Sequence, residues 1–549
     1  MMDNKEKMKQ SLLMGALTSS FGIFVSKLLG LLYYSPLSEI AGEANMAFYS
    51  IVYTYYDLLL QVSQAGIPFA IAALVAKYYA KDDCKTVLLI NKIGTSIIMA
   101  MATMSGIFLL CAADSLARQS LGYTAPLADI ESLKNMFRIL TVAVIVVPFL
   151  SALRGYVQGL KRLDLYASSQ VLEQFVRVFS IIIFAYVFVK ILHFDSIWAI
   201  YIAVAAASLG ALAALVYTKL FANRDISHVE QLAQQQDNVS ENVVSEIFKE
   251  ILSLGIPYVI ISFLGTAGPL VNTVFFMDTM TRAFGPQAYE EAKLSAGILQ
   301  ANIAKIANIP SVLAIGFGSG MVPYLSESLE KHDNEKITVQ INQILDTVTF
   351  ILVPLTLIFI FFARDIYYIM YGNRNLDLGT SLFAVSNIQI FLGTIAPIFS
   401  SIMMSLKLRK DAILTLIIAF LFKLVAFFPL VRHFGAYGMI YSSGIYYLVE
   451  ILLYFYYLRL SFGINVRSAF RRLIRITLAS LAAVIPVFVI RGLIPFNFDS
   501  RLTDIVIMGG LGIVMLLNYY YVSVAMKLPQ QIYDIEEVSL RKLLSRFRA

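Results

Sequence analysis

The chain has 549 residues, of which 58% are hydrophobic and only 14% are charged, and its mean hydropathy is +0.74. A soluble protein of this length could not cover its surface with so few charges, so the composition excludes a soluble enzyme. The net charge of +7 does not indicate a nucleic-acid partner, because the basic residues are concentrated in short loops between apolar stretches.

These apolar stretches are about twenty residues long or longer, which is the length of a helix that crosses a bilayer. Alternating strands of about ten residues, the signature of a membrane barrel, are absent. The sequence therefore predicts an all-α polytopic membrane protein with about fourteen transmembrane helices. The predicted spans are 11–34, 45–76, 86–112, 133–158, 168–192, 196–221, 249–277, 294–325, 340–363, 379–405, 411–431, 435–459, 473–495 and 502–526.

Loop charge predicts the orientation of these spans. Lys and Arg are dense on one side of the predicted membrane, whereas the loop Ser35–Asn45 on the other side has none. Because basic loops stay in the cytoplasm, we expect a cell-membrane protein with cytoplasmic N- and C-termini. The C-terminal tail alternates Leu and Phe with Arg and Lys, which is typical of an amphipathic helix on the anionic inner leaflet.

Two short repeats suggest that the chain contains two related halves. Ala65–Pro68 resembles Ala307–Pro310, and Pro148–Ser151 resembles Pro397–Ser400 at nearly the same offset. A polar stretch from about Asn223 to Ser245 separates six spans from the next six. The predicted domains are a six-helix lobe at 1–222, a cytoplasmic linker at 223–246, a second six-helix lobe at 247–460, and two further helices with the tail at 461–549.

Ionisable and polar residues inside the spans are the candidates for function, because each charge in a bilayer costs about 2.5–3.5 kcal/mol on insertion scales. They form stripes at spacings of three and four residues, so each stripe shares one helix face. Substrate transporters with two such halves hold their ligand between them. The candidate substrate-binding residues are Lys27, Asp57, Gln61, Arg154, Glu173, Arg177, Asn302 and Lys305.

Structural roles compete with these assignments. Glu173 and Arg177 are spaced i,i+4 and could neutralise each other, and Asp57 could pair with a lysine on a neighbouring helix. Lys27 and Lys305 have no acid nearby on their own helices, which favours a role in lining a cavity. A further set could instead hold the second half together through polar pairs, and it comprises Asp346, Lys423 and Glu450.

Motifs for soluble catalysis and cofactor binding are absent from the sequence. We find no GxxxxGK[ST] loop, no HExxH and no GxSxG, and the four His and two Cys residues show no metal-ligand spacing. We therefore predict a transporter that uses no cofactor and no metal.

Four motifs carry a resemblance to a known family: Ser26–Gly30, Ala65–Pro68, Arg154–Gly159 and Ser169–Val178. The chain resembles the polysaccharide-biosynthesis branch of the MOP exporter superfamily, in particular its MurJ-type lipid II flippases and SpoVB-related proteins. The resemblance implies two six-helix lobes around a central cavity, with two extra C-terminal helices. It also implies that Lys27 and Lys305 meet the diphosphate of a lipid-linked precursor. The sequence departs from the family pattern, since both are lysines where arginine is usual, and Tyr33 and Tyr34 replace a further arginine.

We accordingly expect a monomeric flippase that moves an undecaprenyl-diphosphate-linked precursor, lipid II, to the outer leaflet by alternating access. A flippase for another lipid-linked glycan, such as a teichoic or capsular unit, is the first alternative. A drug or metabolite antiporter of the same superfamily is the second, although an acidic pocket is expected for cationic drugs. A non-transporting assembly protein is the third, but the sequence lacks the sizeable extramembrane domain expected of one.

Overall fold

The computed structural model describes residues 29–30, 33–64, 66–236, 241–307, 309–310, 324–493 and 500–533. Regular structure in this part of the chain is helical throughout, as lipid requires, because a helix pairs its own backbone polar groups. The helices form two compact units, Met1–Asn302 and Ile303–Ala549.

The first unit contains nine described helices of at least eight residues, several of which exceed thirty. They are α1 (Tyr34–Ala41), α2 (Met46–Gln64), α3 (Ile67–Tyr79), α4 (Cys84–Leu121), α5 (Leu127–Gly159), α6 (Leu163–Tyr186), α7 (Ile197–Gln234), α8 (Glu241–Phe284) and α9 (Tyr289–Ala296). A π-helical turn, Gly297–Ile303, follows α9.

The second unit begins as the π-helical turn ends and is also built of helices. Its main described helices are α10 (Asn334–Phe361), α11 (Ala363–Tyr371), α12 (Leu376–Ser405), α13 (Arg409–Phe434), α14 (Ala436–Phe462), α15 (Val466–Leu493), α16 (Arg501–Ala525) and α17 (Leu528–Tyr533). Its apolar core lies mainly between α10, α12 and α14.

Twelve candidate membrane spans occur within the described residues, and each overlaps one predicted span. The all-helical, polytopic prediction is therefore confirmed. Of the two remaining predicted spans, 11–34 lies largely outside the described residues, and 294–325 is described only at 294–307, 309–310 and 324–325, so the count of fourteen stays a prediction.

The second predicted span is broken rather than continuous. Helix α2 ends at Gln64 and α3 begins at Ile67, and between them Gly66 has a φ of 77°, a left-handed conformation that favours glycine. A Cβ added to Gly155 of α5 would lie only 2.5 Å from the Pro68 carbonyl oxygen. Because Gly155 has no side chain, α5 can pack closely against the break between α2 and α3.

The segment predicted as a linker, 223–246, is mostly helical. Helix α7 continues to Gln234 and α8 begins at Glu241, which leaves only a short connection. Helix α8 packs with α2, α3 and α4 in the first unit. The packing of the helices does not show where the first of the two predicted repeats ends and the second begins. The two six-helix lobes therefore remain a prediction.

Helix α15 is fixed to the second unit by one ion pair toward each end. Arg472 contacts Asp346 at 2.7 Å, and Arg491 contacts Asp365 at 2.5 Å. The two arginines are about 28 Å apart along the helix at 1.5 Å per residue. Asp346, one of the sequence candidates, is therefore engaged in holding α15, as the structural alternative predicted.

Candidate functional site

Arg154 and Glu173 form the central ion pair of the candidate site in the first unit. The Arg154 Nη1 donates to Glu173 Oε2 at 2.7 Å, and its Nε donates to Ser169 Oγ at 2.8 Å. This pair joins α5 to α6. The partner that the i,i+4 spacing suggested for Glu173 was Arg177, and that expectation is wrong, because Arg154 reaches the carboxylate from the neighbouring helix.

Arg177 lies one helical turn beyond Glu173 and is 9% exposed. No carboxylate lies within 4.0 Å of its guanidinium among the described residues, and its Nε has no hydrogen-bond partner there. Its guanidinium carbon instead lies 5.0 Å from the centroid of the Tyr53 ring, a cation–π contact. Arg154 also keeps one unpaired donor, its Nη2. The site thus has buried guanidinium N–H groups that are available to an anion.

A close helix contact positions this part of α6. A Cβ added to Gly210 of α7 would lie 2.7 Å from the Glu173 carbonyl oxygen and 3.1 Å from Arg177 Cβ. Glycine therefore lets α7 pack directly against the turn that carries both residues.

A cluster of tyrosines extends from Arg177 toward the start of α1. The Tyr53 ring lies 4.3 Å from that of Tyr49, and Tyr49 lies 5.4 Å from Tyr34. The hydroxyls of Tyr33 and Tyr49 are hydrogen-bonded at 2.7 Å. Sequence reasoning missed this cluster, although Tyr49 and Tyr53 are spaced i,i+4.

The other predicted site residues differ in their surroundings. Asp57 is exposed and Gln61 is half-buried, one and two turns beyond Tyr53 on α2. Asn302 is fully buried in the first unit, and its amide nitrogen lies 3.4 Å from a Glu43 carboxylate oxygen. Lys305 is half-buried in the second unit. Lys27 lies outside the described residues.

The formal charges of α2, α5 and α6 balance at this site. Arg154 and Arg177 contribute two positive charges, and Asp57 and Glu173 contribute two negative charges. Because Glu173 neutralises Arg154, Arg177 is the cation of this group with no ion-pair partner in the described structure.

Among the described residues, no group of three His, Cys, Asp or Glu side chains is arranged to hold a metal ion. The arrangement is suited to binding an anionic, hydrogen-bonding ligand through Arg177 and Arg154.

Comparisons with known proteins agree with this fold. Lipid II flippase MurJ of Bacillus subtilis (strain 168) is 27% identical over 495 residues, covering 89% of this chain and 90% of MurJ. Stage V sporulation protein B of the same organism is 24% identical over 399 residues, or 71% and 70% of the two chains.

Solved structures share the architecture at low identity. A structure of lipid II flippase MurJ in an inward closed conformation matches with a TM-score of 0.64 and 15% identity, over 93% of this chain and 99% of that one. An inward-facing multidrug resistance MATE transporter of the MOP superfamily matches with a TM-score of 0.63 and 14% identity, over 80% and 94%.

The family described as polysaccharide biosynthesis protein matches residues 12–329, which is more than half of the chain. Together with the relatives, this match identifies a transport protein that crosses the membrane many times. The chain belongs to the polysaccharide biosynthesis protein family and has the fold of the MOP superfamily.

Proposed function

We propose that the protein is a flippase that moves an undecaprenyl-diphosphate-linked cell-wall precursor, lipid II, from the inner to the outer leaflet. The observation that carries this proposal is Arg177, a buried guanidinium without a carboxylate partner in the described structure. A buried cation costs several kcal/mol unless it is compensated, and a diphosphate compensates it with charge and several acceptor oxygens. Similarity to MurJ over 89% of the chain supports lipid II as the precursor.

The proposed mechanism is alternating access. The sugar and diphosphate occupy a wet cavity, and the polyprenyl tail stays in the lipid. Arg177 and the unpaired Nη2 of Arg154 bind phosphate oxygens, and Tyr53 holds the Arg177 guanidinium by its ring face. An inside-negative membrane potential favours outward movement of each negative charge by about 2.3 kcal/mol per 100 mV.

Depletion of the protein in a strain without a second flippase tests this function. We expect lipid II to accumulate in the inner leaflet, where an impermeant probe added outside does not reach it. Accumulation of a teichoic or capsular precursor instead would favour the first alternative. Unchanged distribution of every lipid-linked precursor would contradict a flippase.

The two lysines named by the sequence give a second test. We expect Lys27→Gln and Lys305→Gln each to abolish complementation at normal membrane levels, because each removes a charge meant for the diphosphate. Lys→Arg variants should be tolerated, since the charge is kept and a bidentate fork is gained. If Lys27→Glu supports growth while Lys27→Arg does not, the cavity prefers cations and the antiporter alternative replaces the flippase.

Cysteine labelling tests the proposed orientation, with cytoplasmic termini. The native Cys84 is buried and therefore a poor probe, so single cysteines should be introduced at exposed Lys81 and Tyr123 after both native cysteines are replaced. A membrane-impermeant maleimide should label Tyr123→Cys but not Lys81→Cys in intact cells, and both after permeabilisation. The reverse pattern in intact cells would invert the topology.

A further inference from the structure

Glu450 is a carboxyl group in the apolar interior of the second unit. It lies about halfway along α14, fourteen residues after Ala436, and it is 4% exposed. The neighbouring core residues are apolar or aromatic, including Phe399, Ile451 and Tyr454. A carboxylate in such surroundings loses its hydration, which disfavours the ionised form unless a cation lies close by.

No such cation is present in the described structure. No Lys, Arg or His nitrogen lies within 4.0 Å of the Glu450 carboxylate among the described residues. The neighbouring helix α13 contributes the fully buried Lys423, but this amine donates to Ser442 Oγ at 3.1 Å and Ser443 Oγ at 2.6 Å.

The other helices packed against α14 provide no cation that neutralises the Glu450 carboxylate either. Asp377, near the start of α12, is the one ionisable residue of that helix. On α10, Glu335 and Lys336 lie in the first turn, and Asp346 is paired with Arg472.

Two tyrosine hydroxyls flank this carboxyl group along the same helix face. Tyr446 and Tyr454 precede and follow Glu450 by four residues, so their side chains lie one turn away on either side. Their exposed fractions are 1% and 0%. The Tyr446 hydroxyl has no hydrogen-bond partner in the described structure, and the Tyr454 hydroxyl lies beside Glu450 and Ser400. Unpaired buried hydroxyls are rare in folded proteins and call for a group that completes their hydrogen bonds.

We propose that Glu450, with the hydroxyls of Tyr446 and Tyr454, forms an internal proton-binding site in the second unit. In the protonated state, the acid O–H is donated to one tyrosine oxygen, and the other tyrosine donates to the acid carbonyl oxygen. On release of the proton to solvent, both hydroxyls donate to the carboxylate. Because a hydroxyl can both donate and accept, the same three groups serve both states.

A reversible proton site about halfway along a candidate membrane-spanning helix links the second unit to proton movement across the bilayer, as ionisable groups do in transporters. This coupling rests on the proposed transport function. Proton binding by Glu450 does not depend on the transport function, so proton binding and coupling can be tested separately.

Infrared difference spectroscopy of the purified full-length protein tests proton binding. At neutral pH we expect a C=O stretch of a protonated carboxylic acid, which disappears in Glu450→Gln and shifts in Tyr454→Phe, where one hydrogen bond is lost. Asp346→Asn is the matched control and should keep the band, because Asp346 is paired with Arg472. Wild-type and Glu450→Gln spectra without any difference in this region would overturn the proton site.

Proteoliposomes with a pH gradient test the coupling. The gradient should change the rate of precursor translocation by the wild type and leave that of Glu450→Gln unchanged. A wild-type rate independent of the gradient would overturn the coupling. If no precursor is moved under any condition, the transport function fails, while the infrared result still decides the proton site.

Discussion

Replacing Arg177 by Gln should lower precursor translocation about ten- to hundredfold, since a hydrogen bond to a charged group contributes about 1.5–3 kcal/mol and 1.4 kcal/mol is tenfold. The amount of protein in the membrane should stay normal, because no carboxylate in the described structure depends on this guanidinium. Arg177→Lys should retain part of the activity, because it keeps the charge but loses the planar fork. Complementation and membrane level, measured together, provide the readout.

A structural role for Arg177 would give a different pattern. If the cation–π contact with Tyr53 mainly stabilises the fold, Arg177→Gln should reduce the membrane level and the melting temperature together with activity. Arg118→Gln is a matched control, since Arg118 is exposed and, among the described residues, its guanidinium pairs with Asp114 one helical turn away. Wild-type translocation by Arg177→Gln would show that the guanidinium is not a ligand.

Replacing Gly297 by Ala should strongly reduce the amount of folded protein. A Cβ added here would overlap the carbonyl oxygen of Glu43 and lie 3.1 Å from the Ala47 nitrogen, so the clash is with backbone and a side-chain rotation does not relieve it. Overpacking of this kind costs about 1–3 kcal/mol or more. Gly297 also begins the π-helical turn, a segment that already departs from regular α-helix.

The control for this variant is Gly265→Ala in α8. A Cβ at Gly265 meets nothing within 4 Å, so the change should be neutral or slightly stabilising in a helix. Membrane level by immunoblot and the melting temperature of purified protein should separate the two variants. Equal stability of both would mean that the segment after α9 does not need its close contact with Glu43.

The membrane-spanning helices could be predicted because a single physical requirement, about twenty apolar residues, defines each of them. The break at Gly66 was not predicted, since the apolar pattern continues through Ala65–Pro68 and only the backbone conformation reveals the interruption. The continuation of α7 to Gln234 was missed because the last turns of this helix are polar and lack the apolar pattern of a membrane span.

The residues that form ion pairs with each other could not be predicted from their spacing in the sequence. Glu173 and Arg177 meet the i,i+4 rule, yet Glu173 pairs with Arg154, and Asp346 pairs with Arg472, which is 126 residues away. Such pairs depend on which helices are neighbours and how closely glycines such as Gly210 allow them to pack. The sequence identified the charged residues inside the predicted spans. Only the fold showed that Glu173 neutralises Arg154, whereas Arg177 has no carboxylate partner among the described residues.

Translocation of lipid II by the purified protein in vesicles tests the central claim most directly. Vesicles carrying lipid II in one leaflet should expose it on the other in the presence of the wild type, and much more slowly with Arg177→Gln. Exposure at the rate of protein-free vesicles, with correctly inserted and folded wild-type protein, would contradict a lipid II flippase.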